Sequence, residues 1–211
     1  MKRPKILIAD DHRMVAEGLR GLLEPQFELV AIVGDGRALL EAAEKYRPDV
    51  VVADVSMPLL NGIESVRQLK KKNKKIVVVF LTMHLDVAYA SSAFEAGASG
   101  YVLKHSAPQE LLTAISSALN GKTYVTPLLA KELHRFQKGR PREVDGQQAV
   151  LTTRQREVLQ LIAEGRSVKE ISTILNISTR TVEFHKYSVM EAMGLKNSAE
   201  LMRFALAYGV K

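Results

Sequence analysis

Three aspartates, a threonine and a lysine fall at the ends of short apolar runs, and together they could carry out phosphoryl chemistry. These residues are Asp10, Asp11, Asp54, Thr82 and Lys104. Apolar runs of this length, alternating with helical patterns, are typical of buried parallel strands. Because sites in open α/β sheets form at the carboxyl ends of the strands, we expect these side chains to meet at one edge of a sheet.

The types of these side chains predict phosphoryl transfer assisted by a metal ion. Neighbouring carboxylates repel one another unless a cation neutralises them, and oxygen ligands without sulfur suit a hard ion such as Mg²⁺. Asp54 stands alone at its strand end and is the best candidate nucleophile, since aspartyl phosphates are known covalent intermediates. Asp10 and Asp11 are better placed as metal ligands. Thr82 and Lys104 would stabilise charge on the transferred phosphoryl oxygens.

The elements that must position these residues are predicted as five βα units. Strands are expected near 5–9, 29–33, 50–54, 76–82 and 100–103, and helices near 13–23, 36–45, 62–71, 87–96 and 108–120. A further helix is predicted over 127–137, and the polar stretch 139–148 indicates a flexible linker. We therefore predict a first domain over 1–121, a linker with one helix over 122–147 and a second domain over 148–211.

The C-terminal segment has the pattern of four short helices. Thr152 offers an N-cap, and Ser167 with Glu170 forms a capping-box sequence, while Gly165 and Gly194 suit helix ends. Two short helices, a tight turn and a longer third helix near 179–193 make a helix-turn-helix geometry. The overall expectation is an α/β domain followed by an all-α domain.

Five spaced motifs occur in order within residues 4–120. They are Asp10-Asp11, Asp54-x-x-Met57-Pro58-x-x-Asn61-Gly62, Thr82, Gly97-Ala98-x-Gly100-Tyr101 and Lys104. This pattern resembles the receiver domain of bacterial two-component response regulators. The resemblance implies a flavodoxin-like, five-stranded parallel sheet in the order 2-1-3-4-5.

The same resemblance implies a role for each matched residue. Asp54 would accept phosphate from a sensor histidine kinase, and Lys104 would contact the phosphoryl group. Thr82 and Tyr101 would form a switch pair that moves inward on phosphorylation. The ligands implied for Mg²⁺ are Asp11, Asp54, the backbone carbonyl of Ser56 and, through water, Asp10.

A second set of spaced residues covers about 150–208. It comprises Leu151-Thr152-x-Arg154-Gln155-x-Glu157-Val158-Leu159, Ile162-Ala163-Glu164-Gly165, Lys169-Glu170-Ile171 and Leu175-x-Ile177-Ser178-x-x-Thr181-Val182-x-x-His185. This pattern resembles the LuxR-type DNA-binding domain, and the whole chain resembles a NarL-type response regulator. The resemblance implies a phosphorylation-controlled transcription factor that binds double-stranded DNA and forms a homodimer when phosphorylated, with RNA polymerase as a candidate partner.

The predicted recognition helix departs from this family's usual pattern of lysines. Val182 and Val189 point to the core at about 100° per residue, and the outward face carries carboxylates and aromatic rings. A carboxylate weakens sequence-independent affinity for phosphates, but Glu183 could read a cytosine amino group and Phe184 could touch a thymine methyl. The residues expected to contact DNA are Lys169, Arg180, Thr181, Glu183, Phe184, Lys186, Tyr187 and Lys196.

Composition agrees with these predictions. The chain has 211 residues, no cysteine and a net charge of +7, so thiolate metal sites and disulfides are excluded. Residues 1–120 carry 15 Lys/Arg and 14 Asp/Glu, which leaves +6 of the +7 after residue 120. No run of about 18 apolar residues predicts a membrane span, and the N-terminus does not match a signal peptide. We expect a cytoplasmic protein.

Two other functions compete with this interpretation. An aspartyl-phosphate hydrolase acting on small molecules would resemble a pattern with a second aspartate two residues after the nucleophile, but Ser56 stands there. Alternatively, the receiver could act by protein contact alone, with a helix-turn-helix that no longer binds DNA; Glu183 and Glu191 keep this alternative open. Duplex binding would separate it from the main interpretation. If Ser56 and His84 flank the phosphoryl group, they could set its lifetime.

Overall fold

The chain folds into two compact units, Met1–Arg142 and Glu143–Lys211. The computed structural model describes residues 3–106, 108–139 and 151–209. Most of the predicted flexible linker, residues 140–148, lies outside the described residues. Strands alternate with helices in the first unit, whereas the described part of the second unit is helical.

A parallel six-stranded sheet forms the centre of the first unit, in the order β2-β1-β3-β4-β5-β6. Its strands are β1 Lys5–Ala9, β2 Glu28–Val33, β3 Val50–Ala53, β4 Val77–Thr82, β5 Gly100–Leu103 and β6 Tyr124–Val125. Its helices are α1 Arg13–Leu23, α2 Gly36–Tyr46, α3 Gly62–Lys72, α4 Val87–Glu95, α5 Pro108–Leu119 and α6 Pro127–Gly139. The flavodoxin-like fold class and the order of its first five strands are confirmed.

The sixth strand is the one element of the sheet that we did not predict. It is two residues long and pairs with β5, with Gly100 opposite Tyr124 and Tyr101 opposite Val125. Two residues show no periodicity, so only pairing with a neighbouring strand can reveal such an element. The strand continues the sheet into the segment that leads to α6.

Helices cover both faces of the sheet. One apolar core lies between the sheet and helices α2, α3, α4 and α6, and a second lies between the sheet and helices α1 and α5. The strands are apolar on both sides because both faces are buried. Local signals set the helix bounds: Asp35 and Asn61 accept backbone hydrogen bonds at the starts of α2 and α3. Gly97 has a positive φ of 99° where the chain leaves α4.

Helix α6 packs against α4 as part of the first unit's core. The side chain of Leu129 is 0% exposed, and Leu133 is buried with it in the same apolar cluster. The neighbouring Leu128 points outward and is 64% exposed. The helix that follows β6 is therefore an integral layer of this unit and not a free spacer.

Truncating Leu129 should destabilise the first unit. We expect Leu129→Ala to lower the free energy of unfolding by about 2–5 kcal/mol, because a fully buried leucine leaves a cavity. Leu128→Ala is the matched control, since its side chain is largely exposed, and it should change stability by less than about 0.5 kcal/mol. Calorimetric unfolding of both variants provides the comparison, and equal effects would contradict the packing of α6.

Four helices make up the described part of the second unit: α7 Thr153–Ala163, α8 Val168–Leu175, α9 Thr179–Ala192 and α10 Ser198–Gly209. A capping box opens α8 at Ser167, as the sequence predicts, and another opens α7 at Thr152, where the sequence analysis predicts only an N-cap. Val182 and Val189 are buried and hold α9 against the other helices. The four-helix, helix-turn-helix prediction is confirmed. Among the described residues, no helix combines the length and apolarity needed to cross a membrane.

Candidate functional site

The predicted site residues of the first unit meet at the carboxyl edge of the sheet. Asp10 follows β1, Asp54 follows β3 and Lys104 follows β5. The Lys104 Nζ atom lies 2.8 Å from Asp10 Oδ2 and 2.6 Å from Asp54 Oδ2. Residues distant in sequence are therefore joined by one ammonium group that bridges two carboxylates.

The acidic site, which we define as Asp10, Asp11 and Asp54, carries more negative charge than Lys104 neutralises. Asp10 and Asp54 are each only 4% exposed, and Asp11 lies at the open side of the same group. Ligand atoms of these three residues and of His12 all lie within 4.8 Å of one another. Two buried carboxylates sharing one cation fit a divalent ion with oxygen ligands, and this observation supports a metal in the acidic site.

His12 is a neighbour of the acidic site that our sequence reasoning missed. Its Nδ1 atom lies 2.9 Å from Asp11 Oδ1 and 3.4 Å from Asp10 Oδ1. The backbone N–H of His12 also donates to Asp10 Oδ1 at 2.9 Å. Its position directly after the aspartate pair was the only signal available, and adjacency in sequence does not indicate where a side chain points.

Burial sets the proton affinities at this site. Desolvation raises the pKa of Asp54 above its usual value, although the hydrogen bond and charge of Lys104 act in the opposite direction. Burial lowers the pKa of Lys104, but its hydrogen bonds to Asp10 and Asp54 and the negative charges of these carboxylates together outweigh that effect and raise the pKa overall. Lys104 therefore stays charged, while the ionised form of Asp54 is held at an energetic cost that a bound cation would reduce.

Ser56 and His84 form a bonded pair beside Asp54. Ser56 Oγ and His84 Nε2 share a hydrogen bond of 2.7 Å, and the backbone N–H of Ser56 donates to Asp54 Oδ1 at 3.3 Å. The backbone N–H of His84 donates to Thr82 Oγ1 at 3.2 Å, and its ring stacks on Tyr89 with 4.4 Å between ring centroids. The loop after β4 is thus tied to the loop that carries Asp54.

Tyr101 already occupies the inward position that the resemblance implies for the phosphorylated state. Its side chain is fully buried, and its hydroxyl donates to the backbone carbonyl of His84 at 2.9 Å. Burial raises the pKa of this phenol, so it stays protonated and remains a donor. The backbone N–H of Thr126 donates to the Tyr101 carbonyl at 3.0 Å, which links this tyrosine to the segment entering α6.

The predicted DNA contacts differ in how accessible they are. Exposed side chains are found at Lys169, Arg180, Phe184, Tyr187 and Lys196, whereas Thr181, Glu183 and Lys186 are half-buried. Thr181 belongs to the N-terminal cap of α9, since its backbone N–H donates to Ser178 Oγ at 3.0 Å. Helix α9 thus presents three of the eight predicted residues, Arg180, Phe184 and Tyr187, directly to solvent, whereas the exposed Lys169 lies on α8 and the exposed Lys196 follows α9.

Glu183 and Lys186 pair with each other along α9. The Lys186 Nζ atom lies 3.1 Å from Glu183 Oε2, one helical turn away. An i, i+3 pair of this kind balances both charges locally. The predicted phosphate contact of Lys186 and the predicted base contact of Glu183 therefore compete with this ion pair. The types of the two side chains alone do not predict that they pair.

Comparison with known proteins places both units in established families. Residues 6–116 match the response regulator receiver domain, and residues 149–205 match the bacterial regulatory proteins of the luxR family. The transcriptional regulatory protein DegU of Brevibacillus brevis is 32% identical over 93% of this chain and 90% of its own length. The response regulator UvrY of Escherichia coli K12 is 30% identical over 97% of this chain and 94% of its own length.

One solved structure is similar to this chain over nearly its whole length. RcsB of Salmonella enterica serovar Typhimurium, bound to a promoter in the presence of the phosphomimetic BeF₃⁻, has a TM-score of 0.60 and 29% identity. The match covers 96% of this chain and 98% of that one. This chain belongs to the response regulators that join a receiver domain to a LuxR-family DNA-binding domain. It is a phosphorylation-controlled transcription regulator and not an enzyme acting on small molecules.

Proposed function

We propose that Asp54 is the phosphoacceptor for a sensor histidine kinase and that phosphorylation controls the binding of α9 to promoter DNA. The meeting of Asp54, Asp10 and Lys104 at one strand edge carries this proposal. The proposed domains are the receiver over 1–121, the linker over 122–147 and the DNA-binding domain over 148–211. The packing of α6 ties the start of that linker segment to the receiver's core.

The proposed transfer moves a phosphoryl group from a histidine of the kinase to Asp54. A carboxylate oxygen of Asp54 attacks phosphorus, the phosphorus–nitrogen bond breaks, and its electron pair returns to the kinase imidazole, which then takes a proton from solvent. Lys104 is placed to pair with the transferred oxygens because its ammonium already lies at Asp54. Thr82, whose side chain is buried at the end of β4, supplies a hydroxyl donor.

We propose that Mg²⁺ is the metal ion of the acidic site. Asp11, Asp54 and the backbone carbonyl of Ser56 would hold it, with Asp10 acting through water. A bound Mg²⁺ would supply positive charge that neutralises the transferred phosphoryl oxygens. The excess of buried carboxylate over ammonium charge supports this proposal.

The proposed switch is a shift between two states of Thr82 and Tyr101. A phosphoryl group on Asp54 adds negative charge and acceptors that Thr82 and Lys104 can bind. That binding favours the state in which Tyr101 is inside and bonded to the carbonyl of His84, as it is in this structure. A homodimer with two α9 helices in successive major grooves is the proposed output, with RNA polymerase as a candidate partner and the cytoplasm as the proposed location.

Salt-dependent duplex binding tests this function directly. With acetyl phosphate and Mg²⁺, we expect the full chain to bind duplex DNA more tightly and to form more dimer than without the phosphodonor. Affinity should fall steeply as salt rises. Lysine and arginine side chains release counterions from the DNA phosphates when the protein binds, and added salt opposes that release. A chain that binds no duplex at low salt would refute the DNA-binding half, and binding or dimerisation that ignores the phosphodonor would refute the control by phosphorylation.

The Ser56–His84 pair should govern how long the phosphoryl group persists. We expect Ser56→Ala and His84→Ala each to shorten the phosphoryl lifetime several-fold, because either change opens the approach of water to Asp54. Since the two side chains share a hydrogen bond, the double variant should resemble the single ones instead of adding their effects. His134 is an exposed histidine on α6, and His134→Ala serves as the control. Phosphate release from each phosphorylated variant is measured over time. Unchanged lifetimes would remove these residues from that role.

A further inference from the structure

Four exposed side chains form a stripe along α9, which we call the exposed stripe. Its members are Arg180, Phe184, Tyr187 and Glu191. Their spacing of i, i+4, i+7 and i+11 places them within an arc of about 60° at 100° per residue. Val182 and Val189, which are buried, hold the opposite side of the helix. Because the side of α9 with these valines packs into the core, the exposed stripe faces away from the second unit.

The two aromatic rings of the exposed stripe lie largely in solvent. Phe184 and Tyr187 are each 66% exposed. Across residues 151–207 of the second unit, Leu206 is the only other large apolar side chain that is exposed. Single apolar residues are common on protein surfaces. Two exposed rings one helical turn apart, on the predicted recognition helix, offer apolar surface that favours a ligand with apolar groups.

The charges around the rings favour a polyanion as that ligand. The exposed Arg180 lies one turn before Phe184, and two further exposed cations of the same unit are Lys169 on α8 and Lys196 after α9. The carboxylate of Glu183, at the edge of the exposed stripe, is balanced by Lys186 at 3.1 Å. The surface therefore combines an exposed cation, Arg180, with apolar rings, while Glu183 is partly neutralised and the exposed acid Glu191 lies at the far end of the stripe.

We propose that Phe184 and Tyr187 determine DNA specificity by contacting the C5-methyl groups of thymines in the major groove. This inference rests on the proposed DNA binding by α9. The thymine methyl is the apolar group that base edges present in the major groove, and a phenyl ring contacts it without hydrogen bonds. Arg180 extends the contact to a neighbouring phosphate or guanine. Thymine methyls, and not cytosine amino groups, are then the main signal read by this helix.

Removing the methyl group from the DNA tests the inference without altering the protein. Duplexes are first selected from a random pool by the phosphorylated full chain with Mg²⁺, and each thymine is then replaced by deoxyuridine, which lacks the C5-methyl. We expect each contacted methyl that is lost to weaken binding by about threefold to fourfold, the value of one buried carbon. Phe184→Ala or Tyr187→Ala should weaken binding and abolish the sensitivity to deoxyuridine at its own position.

Two variants serve as controls for this experiment. Phe184→Leu keeps an apolar contact and should keep most of the sensitivity to deoxyuridine. Leu206→Ala removes another exposed apolar side chain, on α10, and should change neither the affinity nor the sensitivity to deoxyuridine. Circular dichroism and thermal unfolding of each variant show whether the second unit is intact.

The outcomes separate this inference from the proposed function. Wild-type chain that binds selected duplexes, but binds their deoxyuridine versions equally well, overturns thymine reading and leaves DNA binding in place. Aromatic variants that change dimer formation without changing base preference overturn it as well, and assign the exposed stripe to a protein contact. Absence of any salt-sensitive duplex binding overturns the proposed DNA binding itself.

Discussion

Asp54→Asn protein should acquire no phosphoryl group from acetyl phosphate and Mg²⁺, whereas the wild-type chain should acquire one. The amide of asparagine cannot act as the nucleophile, although it preserves the size of the side chain. Intact-mass measurement detects the added group, and peptide mapping should locate it on Asp54 of the wild-type chain. The phosphodonor should then no longer increase DNA binding or dimer formation in the variant.

Asp86→Asn is the matched control for this experiment. Asp86 is an exposed carboxylate at the start of α4, where its side chain accepts the backbone N–H of Ala88 at 2.6 Å. Asparagine caps helices as well as aspartate does, so the control variant should fold and become labelled normally. Labelling of the Asp54→Asn protein at the wild-type level, or on another residue of the wild-type chain, would refute the assignment.

The raised pKa of Asp54 gives this variant a second effect, on stability. An acid whose pKa is higher in the folded chain than in the unfolded chain stabilises the fold below its unfolded pKa, near 4, and loses that contribution as pH rises through the folded pKa. Ionised Asp54 therefore opposes folding at neutral pH, and Asp54→Asn should unfold at a higher temperature there in the absence of Mg²⁺. Added Mg²⁺ should stabilise the wild-type chain more than the variant.

Most of the fold was predictable because its signals are local. Capping boxes at Thr152 and Ser167 and left-handed glycines at Gly97, Gly165 and Gly194 each act within one turn of chain. These signals predict where a helix begins or ends whatever it packs against. Strand β6 has no such signal, since its two residues form a strand only by pairing with β5.

The position of α6 also depends on tertiary contacts that no local pattern contains. Its amphipathic sequence predicts a helix with one apolar face but does not predict which surface covers that face. In the structure, Leu129 and Leu133 enter the core beside α4. Thr126, just before the helix, accepts the backbone N–H of Leu103 and donates to Glu110 at 2.6 Å. These contacts hold Thr126, within the predicted linker, beside Leu103, the residue directly before Lys104.

The backbone positions of the site residues were predictable, but their side-chain partners were not. Strand ends bring Asp10, Asp54 and Lys104 together because parallel strands share one edge. The Ser56–His84 hydrogen bond and the Glu183–Lys186 pair depend on rotamers, which sequence spacing alone does not determine. The inward Tyr101 likewise depends on a carbonyl acceptor that the loop after β4 presents.

Lys104→Met should destabilise the first unit strongly at neutral pH in the absence of Mg²⁺. The change leaves the buried carboxylates of Asp10 and Asp54 without their shared cation, which typically costs about 3 kcal/mol or more. Lys122→Met removes an exposed lysine and should cost less than about 0.5 kcal/mol. Denaturant unfolding of the full chain, followed through the transition of the first unit, measures both.

The pH dependence of this loss identifies its cause. Without Lys104, the carboxylate of Asp54 loses the partner that opposes its desolvation, so its pKa in the folded chain should rise further. An acid with a raised pKa in the folded chain stabilises the fold at acid pH, and this stabilisation is lost as pH rises. The loss of unfolding free energy in Lys104→Met, relative to wild type, should therefore shrink in acid. Mg²⁺ should also reduce it, because a divalent ion replaces the missing charge. In the Asp54→Asn background, Lys104→Met should cost less, since only one buried carboxylate, that of Asp10, then loses its ammonium partner. A deficit that is the same at every pH, with or without Asp54, would mean that lost packing and not uncompensated charge is responsible.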